Sequence, residues 1–267
     1  MALPPPSEHS TCLITGASSG IGAEIARALA RRGYGVTLTA RREQRLDELA
    51  EELTAEHGVR AETLAVDVSD EGGRGRLTRE LEARDLRVDV LINNAGYGSG
   101  GAFVELEGGK EVAMVRTNLE AVVALSSAYL PEMVRRGLGA ILNVASLIAF
   151  QPVPFQATYG ATKAAVLSFT DALHEELRGT GVTATAICPG PVRTEFGEAG
   201  GFGGADDRIP SFLWLSAKKV AEDAVSGLEK GERVLVPGPV NQVAALYGQH
   251  LPRAILLPLV RHVWPVS

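Results

Sequence analysis

The sequence predicts an α/β protein: a single doubly wound sheet of about seven parallel strands with helices on both faces. Three observations carry that reading. Short apolar runs rich in β-branched residues recur along the chain. Longer stretches with helical periodicity separate them. A glycine-rich turn joins the first apolar run to the first helical stretch, where a strand–helix crossover of a parallel sheet would begin.

The predicted strands, in order, are "TCLIT" (11–15), "GVTLTA" (35–40), "ETLAV" (62–66), "VDVLIN" (88–93), "AILNVAS" (140–146), "VTATAIC" (182–188) and "RVLVP" (233–237). Between the early ones lie "GAEIARALARRG" and "REQRLDELAEELTAEHG", whose apolar residues return at helical spacing. No repeat, low-complexity linker or composition shift marks a second domain, so residues 11–267 are read as one unit. The proline-bearing start "MALPPPSEHS", residues 1–10, is expected to be a flexible arm. The end, about 238–267, is an apolar tail, with Pro252, Arg253, Pro258, Arg261 and His262 interrupting its final stretch.

Composition narrows the function classes. The 267 residues suffice for a large core, and the net charge of −6 gives no global field for nucleic acid. No apolar run reaches the ~20 residues of a spanning helix. Cys12 and Cys188 end apolar runs and read as buried free thiols of a reducing compartment, so a cytoplasmic location is expected. The five histidines are scattered, and "HEELR" from His174 lacks a second zinc ligand; no metal site is expected.

The first strand–helix turn, "TGASSGIG" from Thr15, has glycines at 16, 20 and 22. Residues without a Cβ let a backbone bend sharply and approach a pyrophosphate, and the next helix offers free N–H groups and a favourable dipole. Gly16, Ser18, Ser19, Gly20, Ile21 and Gly22 are therefore candidate cofactor contacts; a purely structural tight turn is the plainer alternative. After the second strand, where an NAD-binding fold usually keeps an acidic residue, this chain has Ala40, Arg41 and Arg42. A guanidinium accepts a ribose 2′-phosphate that a carboxylate would repel, so NADP(H) is expected over NAD(H). Arg41 is the preferred partner, and at least one of the pair would serve equally well to solvate a charged helix start.

In "FQATYGATKAAVLSF", Tyr159 and Lys163 stand four residues apart, on one face of a helix. A free phenol near pKa 10 is a poor base at neutral pH, and an adjacent ammonium would draw it toward the working range.

Taken together, the motifs resemble the short-chain dehydrogenase/reductase family, in its short single-domain branch with a Rossmann-like fold. The likeness spans about residue 11 to 240 with motifs in family order: "TGASSGIG", Asp67–Val68, "NNAG" at 93–96, Asn118, Ser146, Tyr159, Lys163 and "PGPVRT" at 189–194. The resemblance implies a catalytic tetrad of Asn118, Ser146, Tyr159 and Lys163. Tyr159 would be the general acid/base, and Lys163 would also hold the nicotinamide ribose. Ser146 would hold the substrate oxygen, and Asn118 would bend its helix and hold a relay water. It further implies cofactor contacts from Asp67, Val68, Asn94, Ala95, Gly96, Pro189, Gly190, Val192 and Thr194. Asn93 reads as structural, bridging strands; Ser146 alone would read as a turn cap.

The family likeness makes residues 191–216 a lid over the substrate, glycine-rich from 197 to 204 and then apolar at Ile209, Phe212, Leu213 and Trp214. Tyr97, Phe150, Val153 and Phe155 add apolar character near the expected pocket, pointing to a moderately hydrophobic ketone, aldehyde or secondary alcohol. The tail is similar to that of reductases of 3-oxoacyl or lipid-like carbonyls. A homodimer or homotetramer through the helices bearing Asn118 and Tyr159 is implied as well. A non-catalytic NADP(H)-binding regulator is the alternative class, and the intact tetrad argues against it. A dehydratase, epimerase or isomerase would carry a longer substrate region after the sixth strand.

Overall fold

The computed structural model describes residues 3–196 and 211–263. Seven strands form one parallel sheet: β1 (Ser10–Thr15), β2 (Val36–Ala40), β3 (Ala61–Ala65), β4 (Arg87–Asn93), β5 (Gly139–Val144), β6 (Val182–Ile187) and β9 (Val234–Leu235). Their spatial order is β3-β2-β1-β4-β5-β6-β9, so the chain winds outward from β1 in two directions. Two short strands, β7 (Val192–Arg193) and β8 (Leu215–Ser216), pair in parallel with each other alone.

The helices are α1 (Gly20–Ala30), α2 (Glu43–His57), α3 (Glu71–Ala83), α4 (Gly108–Val115), α5 (Ala121–Arg136), α6 (Ala157–Glu176), α7 (Ala217–Lys230), α8 (Pro239–His250) and α9 (Arg253–Val263). They cover both faces of the sheet. Ile14, Ile92 and Leu142 join a core with Ile25, Leu29, Leu46 and Val220 from α1, α2 and α7. Their strand neighbours Leu13, Leu91 and Ile141 point the other way, into a core with Leu77, Leu125 and Met133 from α3 and α5. Burial on both faces is why these strands read as unbroken apolar runs rather than alternating ones.

The expected strands are all present, with edges that move for identifiable reasons. β5 stops at Val144 and β6 at Ile187, short of the apolar runs that continue to Ser146 and Cys188. At that edge the ladder closes with a last bond from the Ala145 N–H to the Ile187 carbonyl (2.8 Å), and the chain then turns into loops. Within residues 3–10, part of the stretch expected to be a flexible arm, Leu3 is buried in the α1–α2 core and β1 begins at Ser10. The tail forms α8 and α9, and Leu256 and Val260 of α9 pack on Val153.

Helix α6 positions the chemistry. Tyr159, Lys163, Val166 and Thr170 recur at spacings of four, three and four, and all are buried. This stripe faces β5 through a chain of buried amides. Asn93 Nδ2 donates to Asn143 Oδ1 (2.8 Å), Asn143 Nδ2 donates to Thr170 Oγ1 (2.9 Å), and Thr170 Oγ1 donates to the Val166 carbonyl (2.6 Å). Asn93 thus bridges strands, as the sequence reading has it. Asn143→Leu keeps the branched side-chain shape but strips partners from Asn93 and Thr170. Leaving buried polar groups unpaired in this way should cost about 2–4 kcal/mol. The expected result is a lower urea midpoint with an unchanged m value.

Candidate active site

The carboxyl ends of β1, β2, β4, β5 and β6 border one cleft of about 630 Å³. At its centre the β1–α1 turn is built on glycine geometry. Gly16 and Gly20 hold φ of +67° and +58°, conformations that L side chains rarely adopt. A Cβ on Gly22 would sit 2.4 Å from Asn94 Nδ2, so α1 packs against the β4 loop only with hydrogen there. The Asn94 amide donates to the carbonyls of Thr15 (2.9 Å) and Gly16 (3.2 Å), and the Asn94 and Ala95 N–H groups donate to Thr15 Oγ1 (2.9 and 3.0 Å). These bonds clamp the turn. Ser19 caps α1 by position, yet its side chain makes no capping bond to the helix amides. First-turn N–H groups at positive-φ glycines, facing a cleft, fit a pyrophosphate.

The arginines after β2 form one end of the cleft. Arg42 spans the two serines of the turn: Nε and Nη2 donate to Ser18 Oγ (3.1 and 2.9 Å) and Nη2 also to Ser19 Oγ (2.7 Å). Arg41 also lines the cleft but stays 76% exposed, its Nη1 4.0 Å from Asp67 Oδ2. The Asp67 carboxyl itself takes bonds from the Ser69 N–H and hydroxyl, 2.9 and 2.7 Å.

The opposite end of the cleft carries Ser146, Tyr159 and Lys163. Lys163 Nζ donates to the Val144 carbonyl (2.7 Å) and lies 5.8 Å from the centre of the Tyr159 ring. The Tyr159 side chain shares a hydrogen bond with Ser146. Ser146 Oγ also accepts from the Ile148 N–H (3.3 Å), so Ser146 caps the turn after β5 while lining the cleft. Burial pushes the Tyr159 phenol up to about 12, against the lowering effect of the Ser146 bond. Burial also lowers the Lys163 ammonium to about 8. Desolvation is the largest cause of both shifts, and Lys163 Nζ is engaged by a backbone carbonyl.

Asn118 lies in a π-helical turn, Arg116–Glu120, between α4 and α5. Its amide donates to the Tyr97 carbonyl (2.8 Å) and to Thr162 Oγ1 (3.2 Å), and its oxygen accepts from the Tyr97 N–H (3.1 Å). It sits behind the cleft wall. A Cβ on Gly96 would lie 3.0 Å from Asn118 Oδ1 and 3.5 Å from Lys163 Nζ, so this glycine leaves room for both groups.

Every sequence-predicted site residue lines the cleft except Gly22 and Asn118, which brace it from behind. Of the lid, 191–196 and Trp214 line the cleft; the stretch 197–210, with its glycines and Ile209, lies outside the described residues. Tyr97 reaches the cleft, whereas Phe150 lines a separate groove beside α6 and α8, and Phe155 is not part of the wall. Val153 is buried beneath α9. Sequence reasoning missed Gln156, whose buried Oε1 makes no hydrogen bond among the described residues, and Glu195 and Phe196. Gln156 stands one turn before Tyr159, and that spacing was its available signal. Among the described residues no group of three metal-ligating side chains occurs, and no helix is long and apolar enough to cross a membrane.

This arrangement is that of an oxidoreductase fold built around a dinucleotide. The family model described as short chain dehydrogenase matches residues 10–200, and the chain belongs to that family. It is 40% identical over 215 residues to sulfoacetaldehyde reductase 2 of Chromohalobacter salexigens, covering 79% of this chain and 84% of that one. A short chain dehydrogenase of Pseudocercospora fijiensis is 39% identical over 192 residues, 71% of this chain and 62% of the relative. Among solved structures, a short-chain dehydrogenase from Sphingobium yanoikuyae in complex with NADPH superposes with a TM-score of 0.79 at 36% identity, covering 90% and 92% of the two chains.

The lowered Lys163 value has a consequence for folding. An unfolded lysine titrates near 10.4, so between about 8 and that value the folded state binds fewer protons than the unfolded chain. Stability therefore rises as pH climbs through this window, and the full penalty of the buried charge is present below it. Lys163→Met should be more stable than the parent protein at pH 7, by on the order of 3 kcal/mol or less. Urea midpoints measured at pH 7, 8.5 and 10 should show that advantage shrinking as pH rises.

Proposed function

We propose that the protein is an NADP(H)-dependent carbonyl reductase, interconverting a ketone or aldehyde and the corresponding alcohol. The observation that carries this reading is a single cleft with an arginine pair at one end and the buried Ser146–Tyr159–Lys163 group at the other. Bound NADPH supplies the hydride for the carbonyl carbon. The chain's own residues manage the oxygen. Ser146 holds it by hydrogen bonding, and Tyr159 donates its proton as negative charge develops there. At neutral pH the buried phenol carries its proton, the form needed to donate to a developing alkoxide. Lys163 and the Val144 carbonyl it holds fix the α6 stripe against β5, and Asn118 secures the loop that carries Gly96 and Tyr97.

NADP(H) preference rests on Arg41 and Arg42, with the NADPH-bound Sphingobium structure in support. The two buried free cysteines suit a reducing, cytoplasmic setting. For the substrate, Tyr97, Leu147, Ile148, Phe196 and Trp214 give the catalytic end an apolar wall, interrupted by the amide of Gln156. A moderately hydrophobic carbonyl compound with one polar group near the reacting carbon fits that lining.

NADPH oxidation against a panel of aldehydes, ketones and 3-oxoacyl thioesters tests the proposal, with NADH run in parallel. Tyr159→Phe is expected to lower kcat/KM about 10²–10⁴-fold without weakening NADPH binding. Arg42→Ala should raise the KM for NADPH and leave that for NADH nearly unchanged. Tight NADPH binding with no turnover on any compound of the panel would count against a reductase and for a nucleotide-binding regulator.

A further inference from the structure

Beside the adenosine end of the cleft, three consecutive residues just after β7 reach three different parts of the site. Thr194 packs on the turn: a Cβ on Gly20 would lie 3.2 Å from Thr194 Cγ2. Phe196 places its ring 5.6 Å from that of Tyr159, tilted by 52°. Between them, Glu195 meets two arginines from the start of α2, which are about 150 residues away in sequence. Its Oε2 accepts from Arg42 Nη1 (2.8 Å) and its Oε1 from Arg45 Nη1 (2.6 Å).

We propose that Glu195 is an internal competitor for the 2′-phosphate site: its carboxylate occupies the Arg42–Arg45 pair and must give way when a 2′-phosphorylated nucleotide binds. This inference rests on the NADP(H) reading above. Arg42 holds the serines of the pyrophosphate turn through Nε and Nη2, so its remaining nitrogen, Nη1, is the one turned to an anion beyond the turn, and Glu195 has it. Arg45 lies one helical turn further along α2 and completes a two-guanidinium cradle with the geometry that phosphate oxygens favour. The cradle is charge-matched to one anion at a time. With Arg41, Arg42 and Arg45 set against Glu195 and Asp67, the cluster has a net charge of +1, and a phosphate entering beside an undisplaced Glu195 would reverse its sign. The same two arginines hold the Glu195 carboxyl down at about 2, so it is anionic at any working pH.

The exchange also explains why the acid sits where it does. An NAD-preferring site keeps a carboxylate that binds the ribose hydroxyls. Glu195 faces away from that task, both of its oxygens being held by guanidinium groups. Its effect is to raise the apparent Kd for 2′-phosphorylated ligands while leaving unphosphorylated ones alone. The pair is half-exposed, so its influence should be modest and sensitive to salt.

The test is equilibrium binding of NADPH, NADH, adenosine 2′,5′-bisphosphate and ADP to the parent protein, Glu195→Gln and Arg42→Ala. Titrations are run at low and high salt, with thermal melts to confirm that each variant is folded. Glu195→Gln is expected to tighten NADPH and adenosine 2′,5′-bisphosphate about three- to tenfold at low salt. That gain should shrink at high salt, and NADH and ADP should not change. If Glu195→Gln leaves the phosphorylated ligands unchanged or weaker while Arg42→Ala loses them, the competitor proposal falls and the NADP(H) reading stands. Equal tightening of all four ligands would make the effect a general loosening of the cleft, and weaker NADH binding would make Glu195 a ribose acceptor; either overturns the proposal. If all three proteins bind NADPH and NADH alike, the NADP(H) reading fails first and the competitor with it.

Discussion

All seven strands of the main sheet run the same way, so their carboxyl ends share one edge, and every connection that leaves a strand leaves from that edge. The site is a consequence of this constraint. The glycine turn after β1, the Asn94 loop after β4, Ser146 after β5 and the Pro189–Gly190 turn after β6 arrive together without any need for the sequence to bring them there individually. What the sequence must supply is the stitching between adjacent loops. Thr15 Oγ1 accepts from Asn94 and Ala95, and the Leu147 N–H donates to the Pro189 carbonyl at 2.8 Å. Burying a parallel sheet on both faces also forbids unpaired polar groups near that edge, which is why the Asn93–Asn143–Thr170 relay runs through the one place where α6 must be fixed.

The two ends of the cleft operate in different electrostatic regimes. At the catalytic end Tyr159 and Lys163 are almost fully buried, so desolvation sets their proton affinities and dissolved salt has little reach. Burial acts in opposite directions on the two, raising the phenol and lowering the ammonium, so at neutral pH the tyrosine holds its proton firmly and the lysine less firmly than in water. The arginine end is half-exposed and governed by exchangeable ion pairs. Affinity for an anion can therefore be tuned there without disturbing Tyr159 at the other end.

Much of this was legible in the sequence because its causes are local. Strand runs, the glycine spacing at 16, 20 and 22, and the Tyr159–Lys163 interval are each a pattern within a few residues, enforced by backbone geometry. Asn118 inside an otherwise helical run signalled the local irregularity that the structure shows as a π turn. Contacts between distant segments left no such trace. Nothing near Glu195 announces Arg42 and Arg45, and apolar character alone did not separate Tyr97, on the cleft wall, from Phe150, on another groove. Burial of Tyr159 and Lys163, the largest cause of both their shifts, is likewise a property of the whole fold that their spacing does not reveal.

The C-terminal helices show the same dependence on distant contacts, and they give the substrate end of the cleft a separate source of variation. Asn241 on α8 is buried against Gly190: a Cβ there would fall 2.5 Å from Asn241 Oδ1, so this turn and α8 fit together only as glycine against amide. The Asn241 amide is in turn fixed by the Pro237 carbonyl at 3.0 Å. On α9, Leu256 and Val260 press on Val153 and on Ile148, and Ile148 is itself part of the cleft wall. The tail thus supports the pocket from behind at two points, the turn after β6 and the turn after β5, and among the described residues none of the tail lines it. Changes in α8 or α9 would then move the wall while leaving Tyr159 and the glycine turn in place, because those are held by the sheet edge. Such a division lets one wall of the cleft diverge while Tyr159 and the glycine turn stay fixed.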